Sequence, residues 1–368
     1  MVHFKRFRIP PTIPWMQRAT WVFGLVWVLL AGCGDKNRSQ EAPKSKDQAP
    51  TPAEQLLDLN RRIAMNPQDA AAYGARADWW LSEHRLQDER PLPDSASADN
   101  PGAALGKALQ DIKSALLLDT SNALYYSILG EIYTRMGLVS EADDALRVAM
   151  ARNPELVRAY LRRGELALIN RQYSVAFRYL NEALRRDKRL AEAYLLKGMT
   201  HLELKDTLSA RSAWLTAIEQ NPNLYAAYLE LGLLETDPGL AHRYFSNVLE
   251  QRPGHDQALY ARAMLLQQLG LNDSARAEYR RLLRIQPRHR DALFNLAYLD
   301  LLERQYGKAL AGYDEVIALN PEDVPALYNR GLCYEMQQQH REAAGDYREC
   351  LRLNKNYVPA GQALQRLK

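Results

Sequence analysis

Cysteine is scarce: three residues in 368, too few for a disulfide-built scaffold. Long apolar runs are missing too. The run Trp21–Leu30 (WVFGLVWVLL) has ten residues, well short of the roughly 20 that a bilayer-spanning helix needs. Glycine (19) and proline (18) stay near average use, which excludes a collagen-like chain and wholesale disorder. The seven histidines (His3, His84, His201, His242, His255, His289, His340) are scattered without ligand spacing, so no metal centre is expected. There is no G-x-S-x-G motif and no Cys–His pair that the periodicity brings close, which predicts a protein that is not an enzyme and carries no cofactor. Acids are absent from residues 1–32, where Lys5, Arg6, Arg8 and Arg18 lie. Removing those four from the 48 Lys+Arg leaves 44 against 44 Asp+Glu, so the net charge of +4 belongs to this leader. The remaining chain is neutral overall. A nucleic-acid partner, which usually needs a basic patch on the folded part, is not expected.

The leader itself is informative. A basic stretch, a ten-residue apolar run and then Leu30-Ala31-Gly32-Cys33 follow one another, the order of a secretory signal. The tetrapeptide resembles the lipobox of bacterial lipoproteins. That resemblance implies a signal peptide over residues 1–32, cleavage before Cys33, a diacylglycerol on its sulfur and membrane attachment through that lipid. Met16 begins a compact signal of the same kind (MQRATWVFGLVWVLLAGC), so translation is expected to start there. Residues 33–52 add a polar, proline-spotted stretch after Cys33, with too little apolar surface to fold. As a flexible tether its r.m.s. span would be about 22–26 Å. Gly34 rather than an acid follows the cysteine, so the resemblance favours the outer membrane facing the periplasm and leaves the inner membrane or the cell surface open.

From Asn66-Pro67 onward one pattern recurs at a 34-residue step, with landmarks at Pro67, Thr120, Pro154, Lys188, Pro222, Pro253, Pro287, Pro321 and Lys355. Each unit opens with Tyr or Leu. A small residue stands four positions later: Ala77, Gly130, Gly164, Gly198, Gly232, Ala263, Ala297 and Gly331. Further on come Ala108, Ala142, Ala176, Ala210, Ala241, Ala275, Ala309 and Ala343, each followed four residues later by a large group: Ile112, Leu146, Leu180, Trp214, Phe245, Tyr279, Tyr313 and Tyr347. This pattern resembles the tetratricopeptide repeat. The resemblance implies an all-α fold, a right-handed α-α superhelical solenoid of about eight helix hairpins with an N-terminal half-unit and a C-terminal capping helix. The predicted boundaries are a helix at 53–69, hairpins at 70–122, 123–156, 157–190, 191–224, 225–255, 256–289, 290–323 and 324–357, and a capping helix at 358–368. The small positions are expected where the two helices of a hairpin cross, letting their axes approach to about 8–10 Å. The large groups are expected to fill the gap towards the next unit, and proline to begin the next helix or sit just before it.

Two gaps break the step. The first, of 53 residues, places an insertion within Glu83–Gly102, read as a surface loop; Asp94, Asp99 and Asn100 lack calcium-loop spacing. The second, of 31 residues, is a three-residue deletion expected in the turn before Ala241. Bulk also shifts from the first to the second helix along the array, which suggests two sub-blocks meeting at the fifth unit. The stretch Gly102–Lys107 (GAALGK) echoes a phosphate loop but is one residue short, and helix period already accounts for it. Cys333 and Cys350 fall on the two helices of the eighth hairpin. Their offset along antiparallel axes is too large for a bridge, so both are expected to stay thiols.

In repeats of this family the first helices line a concave face on which partner peptides lie. Mapped onto this sequence, the resemblance places Tyr260, Met264, Phe294, Asn295, Tyr298, Tyr328, Asn329 and Leu332 towards that face. It implies apolar contact from the aromatics, Met264 and Leu332, and a grip on peptide backbone from the two asparagine amides. Common repeat sequence is the equally weighted alternative. The second and third units are expected to present Glu131, Arg158, Arg162 and Glu165 instead. The expected function is a membrane-anchored scaffold or adaptor that binds partner proteins or extended peptides and supports an envelope assembly process. A regulatory subunit of an envelope enzyme, or a glycan-binding module, stands as the alternative.

Overall fold

A computed structural model describes residues 50–87 and 101–367. The leader, Cys33, nearly all of the tether and most of the predicted insertion lie outside the described residues. Those described form eighteen α-helices and no strand, joined by short turns. None of these helices is long and apolar enough to cross a membrane. The chain divides into two compact units, one of residues up to Glu83 with Gly102–Glu182, the other including Ala183–Lys368.

The first unit opens with α1 (Pro52–Met65). Thr51 and Glu54 close it in a reciprocal capping box, so two orphan N-terminal amides find partners. Hairpins follow: α2 (Ala70–Gln87) with α3 (Pro101–Leu118), α4 (Ala123–Arg135) with α5 (Val139–Arg152), and α6 (Val157–Ile169) with α7 (Tyr173–Arg186). The second unit takes the end of α7 and then pairs α8 (Ala191–Glu203) with α9 (Thr207–Gln220), α10 (Tyr225–Leu234) with α11 (Pro238–Gln251), and α12 (Asp256–Gln268) with α13 (Asn272–Ile285). It ends with α14 (Arg290–Leu302) and α15 (Tyr306–Leu319), α16 (Val324–Met336) and α17 (His340–Leu353), and α18 (Val358–Arg366).

The small and large repeat positions meet within one hairpin. A methyl built on Gly130 would stand 2.6 Å from Leu146, on Gly164 2.7 Å from Leu180, on Gly232 2.7 Å from Phe245 and on Gly331 2.6 Å from Tyr347; on Gly198 it would collide with the Trp214 indole. The large groups therefore seat on the glycine of their own hairpin and also reach the next one, as expected: Trp214 clusters with Ala227 and Leu231, and Tyr313 with Ala326 and Cys333. In the seventh hairpin Ala297 replaces the glycine, and Gly312 on the facing helix supplies the missing space. The alanines of the second helices (Ala142, Ala176, Ala210, Ala241, Ala275, Ala309, Ala343) are all essentially inaccessible, as close axes require.

Three-residue turns join the helices of each fully described hairpin, and four-residue turns join successive hairpins. The four-residue turns explain the proline landmark. In most of them an Asn or Asp comes first and its side chain accepts the amide two residues on, as Asn153 does from Glu155 and Asn320 from Glu322. Proline comes second, ahead of the helix rather than in its first turn, where its missing N–H leaves nothing unpaired. Within hairpins the chain reverses through a residue at positive φ: Gly137 and Gly270, but also Arg171, Lys205, Arg304 and Gln338.

One further expectation is corrected. The deletion does not shorten the turn before Ala241, which keeps three residues; it removes the last turn of α10, ten residues long where α8 and α12 have thirteen. There α10 packs on α9 and α11 on α12 without a break, because moving bulk from one helix to its partner conserves the volume that stacking must fill.

Candidate functional site

The residues singled out on the last three hairpins lie on α12, α14 and α16, and the structure sorts them into two groups. Tyr260, Phe294, Tyr298, Asn329 and Leu332 are half-buried and keep an accessible face. Met264, Asn295 and Tyr328 are only 6%, 6% and 5% exposed, so in this conformation they are packing groups, a correction to their place on an open surface.

The cause is the tyrosine on each second helix. Tyr279, Tyr313 and Tyr347 are fully buried, and their rings meet Tyr260, Phe294 and Tyr328 at centroid separations of 6.1, 5.6 and 5.6 Å. A buried phenol also needs a hydrogen-bond partner. The Tyr279 hydroxyl donates to Gln267 Oε1 at 2.8 Å, and the Tyr347 hydroxyl donates to Glu335 Oε2 at 2.6 Å. Asn295 Nδ2 donates to the Tyr260 hydroxyl at 3.2 Å and lies 3.7 Å from the Met264 sulfur. That amide stitches α14 to α12, and its donor is not open to a guest backbone. Burial pushes the Tyr260 phenol up to about 12 and raises Tyr298 as well, so both stay neutral donors at physiological pH. The accessible surface thus offers aromatic faces and neutral hydroxyls.

The arginines on these helices are held. Arg290 pairs with Asp323 and Asp291 and lies 5.2 Å from the Phe294 ring centroid. Arg330 reaches Asp346 on its own hairpin and Asp314 on the preceding one, both at 2.7 Å. Arg262 repeats the device with Glu278 at 2.6 Å and Ser246 at 3.1 Å. These bridges between hairpins escaped the sequence reading. Arg262 and Arg330 stand at the same repeat position, but Leu296 occupies it in the hairpin between them, so the 34-residue step hides the signal.

In the first unit, Glu131, Arg158, Arg162 and Glu165 do not form an open mixed-charge stretch. Glu131 is 1% exposed and accepts from Arg158 at 2.9 Å and from Arg162 at 2.8 Å; Arg158 also meets Asp78 at 2.5 Å and Arg162 meets Glu165 at 2.8 Å. The charges close on one another across three hairpins. A cavity of about 430 Å³ opens between α5, α6 and α7, lined by Asp143, Arg163, Asn170, Gln172 and Tyr179 among others, none of them singled out from sequence. Arg163 there is engaged by Asp143 at 2.9 Å and stacks 4.6 Å from the Tyr179 ring centroid.

Other sequence candidates resolve as structure. Residues 102–107 are α-helical, and the Lys107 ammonium sits 4.6 Å from the Trp80 ring centroid rather than at a phosphate loop. Cys333 and Cys350 are free, buried thiols, each pushed up to about 12 by burial. Among the described residues no group of three or more His, Cys, Asp or Glu is placed to hold a metal ion.

Successive helix hairpins of this kind define an all-α solenoid of helix–turn–helix repeats. Residues 161–225, 233–299 and 324–357 each match a tetratricopeptide repeat family model. No curated protein matches the sequence. Among solved structures the chain is similar to the APC/C hetero-tetramer Cut9–Hcn1, at 16% identity and a TM-score of 0.54, over 84% of this chain and 58% of that one. It therefore spans less than two thirds of that relative. It is equally similar to human IFIT1, crystallised as a dimer with PPP-AAAA, at 16% identity and a TM-score of 0.54, over 82% of this chain and 69% of that one. Pseudomonas aeruginosa pilF aligns at 19% identity and a TM-score of 0.44, over 58% of this chain and 94% of that one. At these identities the first two likenesses speak to the fold alone.

Proposed function

We propose that the protein is a non-catalytic scaffold that binds partner proteins or extended peptides along the first helices of its last three hairpins. The observation that carries this reading is the row of accessible aromatic and aliphatic side chains Tyr260, Phe294, Tyr298 and Leu332, set on helices whose charges are already paired. Rigid aromatic faces give contact area at little entropic loss. Because the arginines there are engaged by carboxylates, the partner is read as protein rather than nucleic acid. Part of the same proposal is that Cys33 carries a lipid, that the chain acts at a bacterial envelope membrane, with the outer membrane facing the periplasm favoured, and that it supports an assembly process there.

Two experiments test the parts separately. A photoreactive side chain at Tyr298 should capture the same protein in cells that the purified chain binds in vitro, and Tyr298→Ala with Phe294→Ala should weaken that binding by about tenfold or more. Unchanged binding by the double variant would remove the site. Labelling with a fatty-acid analogue should mark the chain and fail in Cys33→Ser; equal labelling of the two would remove the anchor.

A further inference from the structure

Three second helices each bury a tyrosine, and one of the three hydroxyls goes unanswered. Tyr279, Tyr313 and Tyr347 recur every 34 residues and are all 0% exposed. Twelve residues before Tyr279 and Tyr347 stand Gln267 and Glu335, which accept from those hydroxyls at 2.8 and 2.6 Å. The same place before Tyr313 holds Leu301, which has no acceptor to offer. Among the described residues no hydrogen-bond partner reaches the Tyr313 hydroxyl. A buried phenol without a partner costs stability that a phenylalanine there would not.

A second polar group is released at the same joint. On α14, Asn295 spends its Nδ2 on the Tyr260 hydroxyl of the preceding hairpin. Asn329 on α16 stands one repeat later, but the seventh hairpin has Phe294 in place of Tyr260. The Phe294 ring meets Tyr313 at 5.6 Å between centroids and has no oxygen to hold an amide. Asn329 is half-buried and keeps an accessible face, as does Tyr298 on α14. The Asn329 side chain lies close enough to the Tyr313 hydroxyl to offset part of the burial that raises that phenol, yet is not bonded to it. The arginines of α14 and α16, Arg290 and Arg330, are engaged by Asp323 and Asp346. The group that suits this joint is therefore a neutral acceptor rather than an anion.

We infer that Tyr313 is a positioning residue for the guest: with a guest present its hydroxyl donates to Asn329 Oδ1, which turns Asn329 Nδ2 outward to donate to a carbonyl of an uncharged stretch of peptide crossing α14 and α16 beside Tyr298 and Leu332. This rests on the reading that a peptide lies along these first helices, and it assigns the polar grip to one joint. An amide has an accepting end and a donating end, so fixing its oxygen inward decides what it presents to a guest. Binding then satisfies two groups that the free chain leaves unmet. At the joint of the sixth and seventh hairpins the equivalent hydroxyl and amide are already committed to Gln267 and Tyr260, so that joint supplies packing and no grip.

The test uses the full chain and acetyl-leucyl-alanyl-leucine N-methylamide, an uncharged peptide. The side-chain amide protons of Asn329, read by NMR, should shift saturably as the peptide is added, and those of Asn295 should stay in place. Tyr313→Phe should weaken that binding by about fivefold, the worth of one hydrogen bond, while its urea midpoint stays level or rises. Tyr347→Phe, which removes a bonded hydroxyl, should lower the midpoint and leave peptide binding unchanged. Leu301→Gln, which gives Tyr313 the kind of acceptor that Tyr279 has, should weaken binding as Tyr313→Phe does; if it does not fold, Tyr313→Phe decides. An Asn329 signal that does not move, or an equal shift at Asn295, would overturn the proposal. So would a Tyr313→Phe affinity within twofold of the unsubstituted chain, or a Tyr313→Phe midpoint that falls as far as that of Tyr347→Phe. The aromatic row is tested on the protein captured at Tyr298, so its failure and this one are told apart.

Discussion

The absence of a side chain holds these hairpins together as firmly as any contact. Tyr347 seats on Gly331, where a methyl would stand 2.6 Å from the ring, whereas a methyl on Gly345 of the neighbouring helix would meet nothing within 4 Å. Alanine should therefore act in opposite directions. Gly331→Ala should lower stability by about 1–3 kcal/mol through overpacking, and Gly345→Ala should raise it by about 0.5–1 kcal/mol by restricting the unfolded chain; urea melts of the two variants check the signs. His255 makes a pH prediction. Its Nδ1 accepts the Ala258 amide at 3.3 Å, and burial, with the nearby Arg252, holds its pKa below the ordinary 6.5. Below about 6.5 the unfolded chain takes up a proton that the folded ring resists, so this contribution is complete above that pH and fades as pH falls. His255→Asn, which keeps an acceptor at the cap but does not titrate, should flatten the decline in melting temperature between pH 7 and 5. At this scale glycine, alanine and the large partner were legible because packing repeats them every 34 residues. Asn295 was misread because a peptide-gripping amide and an amide bonded to Tyr260 look alike until the phenol beneath is placed.

Among elements, ion pairs set register where apolar packing is least specific. Glu131 joins α4 to Arg158 and Arg162 on α6, and Arg158 reaches back to Asp78 on α2. Glu131→Ala would remove the buried carboxylate that Arg135, Arg158 and Arg162 share, leaving Asp78 to Arg158 and Glu165 to Arg162, with an expected loss of up to about 3–5 kcal/mol. Asp144→Ala, which breaks only the exposed pair with Arg147, should leave the urea midpoint unmoved. Arg158 and Asp78 are 80 residues apart, across an insertion that breaks the repeat count, so no spacing argument could join them. The shortened α10 was half legible. Counting residues revealed that three are missing, but the choice between a turn and a helix end is made by Glu235, whose carboxylate satisfies the amides that follow.

Within each compact unit the packing runs chiefly between neighbouring hairpins, which makes stability there local. The last hairpin depends on α18, whose Tyr357 meets Tyr328 at 5.6 Å between ring centroids and whose Arg366 holds Glu335 at 3.1 Å. Tyr357→Ala should speed amide exchange in α16, α17 and α18 while leaving α4, α5 and α6 at their original rates; exchange read by mass spectrometry would show whether the loss stays local. The all-α class was fully legible, because alternating bulk and space at a fixed step admits few other solutions. The identity of a guest was not, because a surface evolved to stack hairpins and one evolved to hold a peptide draw on the same tyrosines.

Cys333 and Cys350 carry a practical consequence. Both sulfurs are inaccessible, and burial keeps them protonated at neutral pH. A thiol reagent added to the native protein can then react only at the rate at which the eighth hairpin separates, so the pair is a built-in clock for that event. An oxidant would meet the same closed door, and these sulfurs would become hazardous only while the chain is being made, before the tyrosines have come to rest.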